Sequence, residues 1–453
     1  MIEIAKKCRQ NFLLALTILF VLFSVACSSD TSGLPDQPKL PLVVISDVHF
    51  TPFYDPTLFH DLVNSPAREW ADIFKSSTVS DLSSWGQETN YPLLVRALDT
   101  ASRSIGEGQA AVFSGDILAH KFPETFFNLY GEEDYDALRS FVYKTVTFFA
   151  NQVRERFGNT PVMFTLGNND SYAGDYRLVP GGAFLADTAE AFYNTFLLGW
   201  ADRDDYFSSY SAGGYFVAEP PGAKVMFVCL NTVFFSRHGT HDCMDSDDNI
   251  ATLQLSWLEQ VLEKARVDQK KVFLITHIPP GISIYSTVKY DMNSSGKISD
   301  ADAFWKESCQ NRFLEICQSY APVIEAIFSG HTHMDEYRLI LSNDGELHTP
   351  VVNAPAVSPQ YGNNPAFKVY SLRGENWKIL DYRAIICDLS LSSPDFSAGY
   401  VFSEAYSTKM PLEASLVDLY PKLAVDGDDQ RHYAHFYYSE HDDANIIDNV
   451  NWP

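Results

Sequence analysis

Asp47-Val48-His49, Gly115-Asp116-Ile117-Leu118-Ala119-His120, Gly167-Asn168-Asn169-Asp170, Thr276-His277-Ile278-Pro279-Pro280 and Gly330-His331-Thr332-His333 are clusters of carboxylate, imidazole and amide side chains. These are the donor types that bind divalent transition ions. Hydrolysis of a phosphoric ester requires an anion to accept a nucleophile and then to expel an alkoxide. Two ions roughly 3.5–4 Å apart address both halves of that problem, activating water and clamping the oxygens that gain charge. Such a pair needs a bridging carboxylate and enough further donors to complete each shell. Asp47, His49 and His333 suit one ion, Asn168, His277 and His331 the other, and Asp116 the bridge. Each cluster alone has a bland explanation. Gly-Asn-Asn-Asp is a turn sequence, and His277 before Ile-Pro-Pro suits an ordinary strand-end histidine. Five in order, each behind an apolar run, point to a two-metal hydrolase.

Those runs (PLVVI, AAVF, PVMFTL, KVFLI and IEAIF) are the elements that must position the clusters. An open α/β sheet gathers the C-terminal ends of its strands along one edge, where ligands bind. In extended backbone, residues i and i+2 point the same way, which would put Asp47 with His49 and His331 with His333 on shared faces. Gly115, Gly167 and Gly330 allow close backbone approach or positive φ. Strands are expected at 41–47, 110–114, 161–166, 224–230, 271–276, 324–329, 336–341, 350–354 and 377–386. Helices are expected at 91–105, 135–157, 250–266 and 303–319. In 250–266, Leu253, Trp257, Leu258, Val261 and Leu262 recur at helical spacing and define the expected buried face. Strands alternating with helices, then strands in succession, describe an α/β fold of two packed sheets with helices outside. Residues 170–222, rich in Tyr, Phe, Gly and Pro, are expected as loops and an insertion over one edge. Residues 389–453 read as an acidic, loop-like C-terminal extension with one helical piece near 411–423.

At 453 residues, 46% of them hydrophobic and 14% aromatic, the chain suits one large α/β domain with a tail. Residues 1–26 read as a signal peptide, with Lys6, Lys7 and Arg9 ahead of an apolar stretch from Phe12 to Phe23. That stretch is shorter than the roughly 20 residues of a spanning helix. Phe23-Ser24-Val25-Ala26-Cys27 resembles a bacterial lipobox with Cys27 as the lipidated residue, although Ser24 stands where Leu is usual. Residues 27–40 then form a lipid-anchored tether. The expected location is outside the cytoplasm, membrane-anchored and facing periplasm or cell exterior. A net charge of −25 argues against a nucleic-acid groove, which needs clustered Lys and Arg. It does not argue against a small phosphate substrate, because bound divalent ions dominate the local field. Cys229, Cys243, Cys309, Cys317 and Cys387 permit disulfides but cannot all pair within one chain. Cys309 and Cys317, if on one helix, stand roughly 12 Å apart, too far to bridge. Cys229, inside VMFVCL, reads as a buried free thiol.

The order of the clusters resembles that of the calcineurin-like metallophosphoesterases, and within them the acid sphingomyelinase-like phosphodiesterases. SGDILAH at 114–120, ITHIPPG at 275–281, FSGHTHMDEY at 328–337 and NAPAVSPQYGNNPAF at 353–367 carry the resemblance, which covers residues 41–388. It implies a four-layer α/β/β/α sandwich, two divalent ions (Zn, Mn or Fe) and attack by a metal-bridged hydroxide. The substrate it implies is a small phosphodiester, or a nucleotide or lipid phosphate. One departure matters. Most relatives carry Gly-Asn-His-Asp or Gly-Asn-His-Glu, whose histidine protonates the leaving oxygen. Asn169 cannot do so and is left as a substrate-binding residue. Three readings follow. His120, which the acid sphingomyelinase-like branch shares, donates the proton instead, and this is the preferred one. Alternatively the substrate is a polyphosphate or nucleotide phosphoanhydride, with endopolyphosphatases similar at this spot. Or catalysis is impaired and the chain is a metal-binding surface scaffold. Asp170 is expected to orient Asn168 or a nearby histidine from behind. His238 to Cys243 reads as a polar loop, His432 and His435 as surface residues, and Asn363-Asn364-Pro365 as a turn near the active edge.

Overall fold

Apolar runs rich in Val, Ile and Phe form the strands, as their fit to a pleated, buried surface requires. In chain order these are β1 (Lys39–Ile45), β2 (Ala110–Phe113), β3 (Val162–Phe164), β4 (Phe216–Ala218), β5 (Val225–Cys229), β6 (Lys271–Ile275), β7 (Ile324–Ser329), β8 (Tyr337–Leu341), β9 (Leu347–Asn353), β10 (Ala366–Arg373), β11 (Ile379–Cys387) and β12 (Phe396–Val401). The structure, a computed structural model, describes residues 39–442 apart from 106–109, 198, 244–248, 292–299, 342–346, 410 and 426. The expected signal segment, Cys27 and residues 27–38 of the tether lie outside the described residues.

The strands make two mixed six-stranded sheets, ordered β12-β11-β10-β1-β2-β3 and β4-β5-β6-β7-β9-β8. Their parallel centres are β1, β2 and β3 in one sheet and β5, β6, β7 and β9 in the other. β2 and β7 are buried along their whole length, as parallel strands covered on both faces must be. The sheets pack face to face, with the Phe328 and Tyr370 rings 4.9 Å apart between β7 and β10. Helices Tyr91–Arg103 and Tyr135–Phe157 lie on the first sheet's side, and helices Ile250–Val267 and Glu307–Ser319 on the second's. This is the expected four-layer arrangement.

Helix Tyr135–Phe157 has the expected bounds because both ends are signalled. Asp134 accepts hydrogen bonds from the Asp136 and Ala137 N–H groups, and Gly158 follows the last turn. Helix Ile250–Val267 is rotated from its expected face, and Leu253 is 45% exposed. Gln254 turns inward instead, accepting from Asn231 N at 2.7 Å and donating to Asn231 O at 3.0 Å. Residues 170–222 are not mainly loops. Helices Ala183–Phe192 and Arg203–Gly213 pack Phe192 and Tyr210 against Phe164 of β3. The segment after 389 likewise supplies β12 at a sheet edge and helices Leu412–Leu423 and Asp428–Tyr437. In β12 only Phe396 and Tyr400 are buried, so no alternation marks it as a strand. β10 escapes sequence reading because Lys368 interrupts its apolar run. That lysine is buried, 2.6 Å from Asp335.

Cys243 and Cys309 form a disulfide with Cα atoms 4.9 Å apart, while Cys229, Cys317 and Cys387 are buried free thiols. Among the described residues no helix is long and apolar enough to cross a membrane. The bridge closes a separation of 66 residues, for which chain entropy gives up to about 4 kcal/mol of stabilisation. Replacing Cys243 and Cys309 together by Ser should therefore lower the unfolding free energy in urea by about 2–4 kcal/mol. A midpoint indistinguishable from wild type would show the two thiols unbridged in the native protein.

Candidate active site and metal centre

Register makes the strand ends level. Ile45 pairs with Phe113 and Phe113 with Phe164 in one sheet, and Ile275 pairs with Phe328 and Phe328 with Val352 in the other. Every ligand cluster therefore leaves its sheet at the same edge. Beyond that edge the backbone is not extended. Asp47, His49, Asp116, His331 and His333 have φ of 46°, 44°, 57°, 72° and 66°. The shared orientation of each i, i+2 pair thus comes from two left-handed residues around one spacer, not from a continuing strand. Such conformations are sparsely populated by residues with a Cβ and cost of order 1–2 kcal/mol each. Cross-loop bonds hold them: Asp47 N to Gly115 O at 3.1 Å, His49 N to Asp116 O at 3.0 Å and Gly330 N to His277 O at 3.0 Å. The Asp47 carboxylate also accepts from His331 N at 2.9 Å. Two glycines make the crossings possible. A Cβ on Gly330 would fall 1.9 Å from Ser46 Oγ, and one on Gly167 would fall 2.0 Å from Asp116 Oδ1.

The seven expected ligands converge. His49 Nε2 and His333 Nε2 face each other at 3.0 Å, with Asp47 Oδ1 3.7 Å and 3.6 Å away. His277 Nε2 lies 3.1 Å from Asn168 Oδ1, and the His331 ring meets the His277 ring edge-on at 5.2 Å. Asp116 Oδ2 stands between the groups, 3.4 Å from His49 Nε2 and 3.2 Å from His277 Nε2. Donor atoms about 2.1 Å from one ion are separated by roughly 3–3.5 Å, so these spacings fit two ions sharing Asp116. The tautomers fit as well. His49 Nδ1 bonds Leu118 O at 3.0 Å and His277 Nδ1 bonds Ser114 O at 2.8 Å, leaving each Nε2 as the lone-pair nitrogen.

Asp170 has a different task from the one expected. Its buried carboxylate accepts from the backbone N–H groups of Asp116, Ile117, Leu118 and Gly167, so it shapes the Asp116 loop rather than orienting a side chain. Asn168 is oriented by Asp175 instead, to which its Nδ2 donates at 2.6 Å. Asn169 is 2% exposed and turned inward, with N and Nδ2 donating to Asp116 at 2.8 Å and 2.9 Å. Its amide is engaged by the Asp116 carboxylate, which differs from the substrate-binding place expected for it.

His120 stacks on His49 with ring centroids 4.1 Å apart. Its Nδ1 bonds Glu88 Oε1 at 2.7 Å, Ser358 Oγ donates to Glu88 Oε2 at 3.1 Å, and His120 Nε2 is 3.4 Å from the Tyr361 hydroxyl. Burial alone would raise the Glu88 pKa, but the His120 hydrogen bond and the charge of His49 hold it below the usual value. Glu88 and Asp175 have no motif spacing that could reveal them. Tyr361 lies inside the string at 353–367, where a turn was the only visible signal. A cavity of about 550 Å³ opens over Asp116, His331 and His333 and is walled by Tyr176, Phe304, Tyr361, Tyr437 and Tyr438. His238 lines the same cavity beside Tyr176, whereas Cys243 is taken by its disulfide. His432 is exposed and His435 partly buried, and Asn364 is buried, holding the Tyr438 and Ser439 backbone.

The family model for calcineurin-like phosphoesterases matches residues 40–335. The chain is 24% identical over 422 residues to the cyclic GMP-AMP phosphodiesterase SMPDL3A of Mus musculus, covering 89% of this chain and 85% of that one. It is 24% identical over 370 residues to sphingomyelinase phosphodiesterase D of Dictyostelium discoideum, covering 77% of this chain and 75% of that one. A dimetal phosphatase from Danio rerio aligns with 80% of this chain and 98% of its own at a TM-score of 0.41 and 13% identity. The chain belongs to the calcineurin-like phosphoesterase family and is a phosphoric ester hydrolase. It is homologous to the acid sphingomyelinase-like phosphodiesterases, and its family uses a dimetal centre.

Electrostatics describe a site short of positive charge. Burial would raise the Asp116 pKa, but the facing His277 and His49 imidazoles hold it well below the usual carboxylate value. Burial lowers His49 and His277, yet the carboxylates overcome it, Asp116 first, and raise them to about 10 and about 9. Burial pushes His331 and His333 down to about 3. Metal ligation requires neutral imidazole, so loading the site near neutral pH must release protons from His49 and His277. Affinity for Zn²⁺ or Mn²⁺ should rise with pH up to about 10, and titration calorimetry in buffers of different ionisation enthalpy should detect the released protons. A pH-independent affinity would sink this account. Asp170→Ala should lower stability by about 3 kcal/mol, since buried N–H groups lose their acceptor. It should also reduce bound metal measured by atomic absorption.

Proposed function

We propose that the protein hydrolyses a small phosphodiester at a two-ion centre held by Asp47, His49, Asp116, Asn168, His277, His331 and His333. When bound, the two ions supply Lewis-acid charge for the phosphoryl oxygens and for water. The chain's own residues do the rest. Asp116 draws the two ligand groups together. His120 delivers the proton to the leaving oxygen, and Glu88 is its positioning residue, fixing ring orientation. The observation that carries this reading is the Glu88–His120 pair at 2.7 Å beside the ligand cluster and on the cavity wall. It supplies a proton donor where the motif histidine is replaced by Asn169.

The cavity lining favours a diester over a polyphosphate. Arg237 is the one Arg or Lys among the lining residues described, and it is ion-paired with Asp302. A polyanionic chain would meet Asp175 and Asp302 with little cationic compensation. Tyrosine and phenylalanine walls suit instead a neutral or cationic group beyond the reacting phosphate, such as choline or a nucleoside. Export, with a lipid on Cys27, is part of the same proposal. The Cys243–Cys309 bridge supports it, because disulfides persist in oxidising compartments.

Full-length protein in detergent, loaded with Mn²⁺ or Zn²⁺, should cleave CDP-choline or sphingomyelin. His120→Ala should lower kcat on such poor leaving groups by about 10²–10⁴-fold, with bis-p-nitrophenyl phosphate far less affected. Glu88→Gln should lose about 10–100-fold on the same substrates and leave the bound metal content unchanged. If only ATP and polyphosphate turn over, and Asn169→His restores diester cleavage, the phosphoanhydride reading replaces this one.

A further inference from the structure

The strands that deliver ligand loops at their C-terminal ends border a second, larger hollow at their N-terminal ends. Lys224 and Lys270 immediately precede β5 and β6, and both line a cavity of about 1100 Å³, twice the volume of the one over the metal ligands. Helices Arg203–Gly213 and Ile250–Val267, edge strand β4 and the turn through Pro220 and Pro221 complete its walls. The two cavities have no lining residue in common. Strands of five residues separate them, a distance of roughly 16 Å. Its volume slightly exceeds the range of about 300–1,000 Å³ for ligand sites.

Two tryptophans and a tyrosine line it. Trp70 and Trp305 are core residues, 0% and 1% exposed. Trp200 and Trp257 are only partly buried, and both line this hollow. The buried Tyr215 ring packs 4.7 Å from Trp257 and braces that indole. Large apolar rings left partly open in one concavity mark a binding surface rather than incomplete packing. The polar groups decide what binds. Lys270 is paired with Glu219, and Lys224 donates to Asp268 O at 3.1 Å, so neither is aimed at an anion, and the third lining lysine, Lys264, is exposed and outnumbered by the carboxylates of Asp202 and Asp205. Asp202 and Asp205 are exposed on one wall and Gln260 on the other. Carboxylates disfavour an anionic ligand and, lining an open cleft, a purely apolar one. A chain whose C–H faces stack on indoles and whose hydroxyls donate to carboxylates and amides meets both requirements.

We propose that this hollow binds a neutral oligosaccharide, with sugar rings stacked on Trp200 and Trp257 and hydroxyls bonded to Asp202, Asp205 and Gln260. The site is independent of hydrolysis, since none of its residues touches the metal ligands or the acid.

The test uses full-length protein in detergent, followed by tryptophan fluorescence and titration calorimetry. The probes are maltohexaose, cellohexaose, xylohexaose and chitohexaose, a printed array of neutral glycans, and a heparin oligosaccharide as the anionic comparison. At least one neutral glycan should bind. Trp257→Ala and Trp200→Ala should each weaken it about tenfold or more, and Trp257→Phe, which keeps a ring, should weaken it less. Hydrolysis of bis-p-nitrophenyl phosphate and the melting temperature should remain at wild-type values in the variants used, so that a folding defect is not mistaken for lost binding. The proposal is overturned if no neutral glycan binds at millimolar concentration, if binding survives removal of both indoles, or if heparin binds and neutral glycans do not.

Discussion

Two buried carboxylates and three imidazoles face one another across 3.0–3.7 Å, with the His331 ring against His277, and much of the structure exists to hold them there. Without a cation, Asp47 and Asp116 repel each other while removed from water, and each such charge carries a desolvation penalty of several kcal/mol. The protein's partial answer is to charge His49 and His277 and keep His331 and His333 neutral. That division leaves a hole for divalent charge. It also explains why the cluster cannot be built on flexible loops, which would relax away from the repulsion.

The framework works through backbone rather than side-chain bulk. Level strand ends bring six loops to one edge, and left-handed turns at Asp47, His49, Asp116, His331 and His333 fold the loops back upon themselves. A third buried carboxylate, Asp170, is then needed to collect the N–H groups that the Asp116 loop leaves unpaired. Burial and the charge of Asp116 raise its pKa to about 7, opposed by those same N–H donors. The loop geometry and the electrostatic strain are therefore one problem. Gly167 and Gly330 belong to it because a Cβ at either position would occupy the space of a ligand carboxylate or its neighbour.

What the sequence made legible follows from the range of each interaction. The ligand clusters and the strands ahead of them are contiguous in the chain, so residue type and order suffice. Helix Tyr135–Phe157 is legible for the same reason, with its cap at Asp134 and its stop at Gly158. Leu253 was misread because Gln254 is recruited by Asn231, 23 residues away, and rotates the helix. β10 was invisible because the charge on Lys368 is cancelled by Asp335 only after folding. Glu88, Asp175 and Tyr361 were invisible because their roles are defined by contacts across loops. Asn169 and Asp170 show the limit most plainly. Their motif identifies them as site residues, yet what each side chain bonds is decided by the neighbouring loop.

Asn169 and His120 are held in different ways. Asn169 donates to Asp116, while His120 stacks on His49. His120 is joined to Glu88 ahead of the first long helix and to Tyr361 in the turn beyond β9, and Ser358 of that same turn region donates to Glu88. That turn is in turn fastened by Asn364 to the Tyr438 and Ser439 backbone and to the Trp85 indole, and Trp85 stacks on His441 at 3.9 Å. The C-terminal segment is therefore a structural part of the surroundings of His120. His120 is held by loops from across the fold, whereas the clusters at the strand ends are held by their own strands. The surroundings of His120 can therefore change while the strand-end clusters stay as they are.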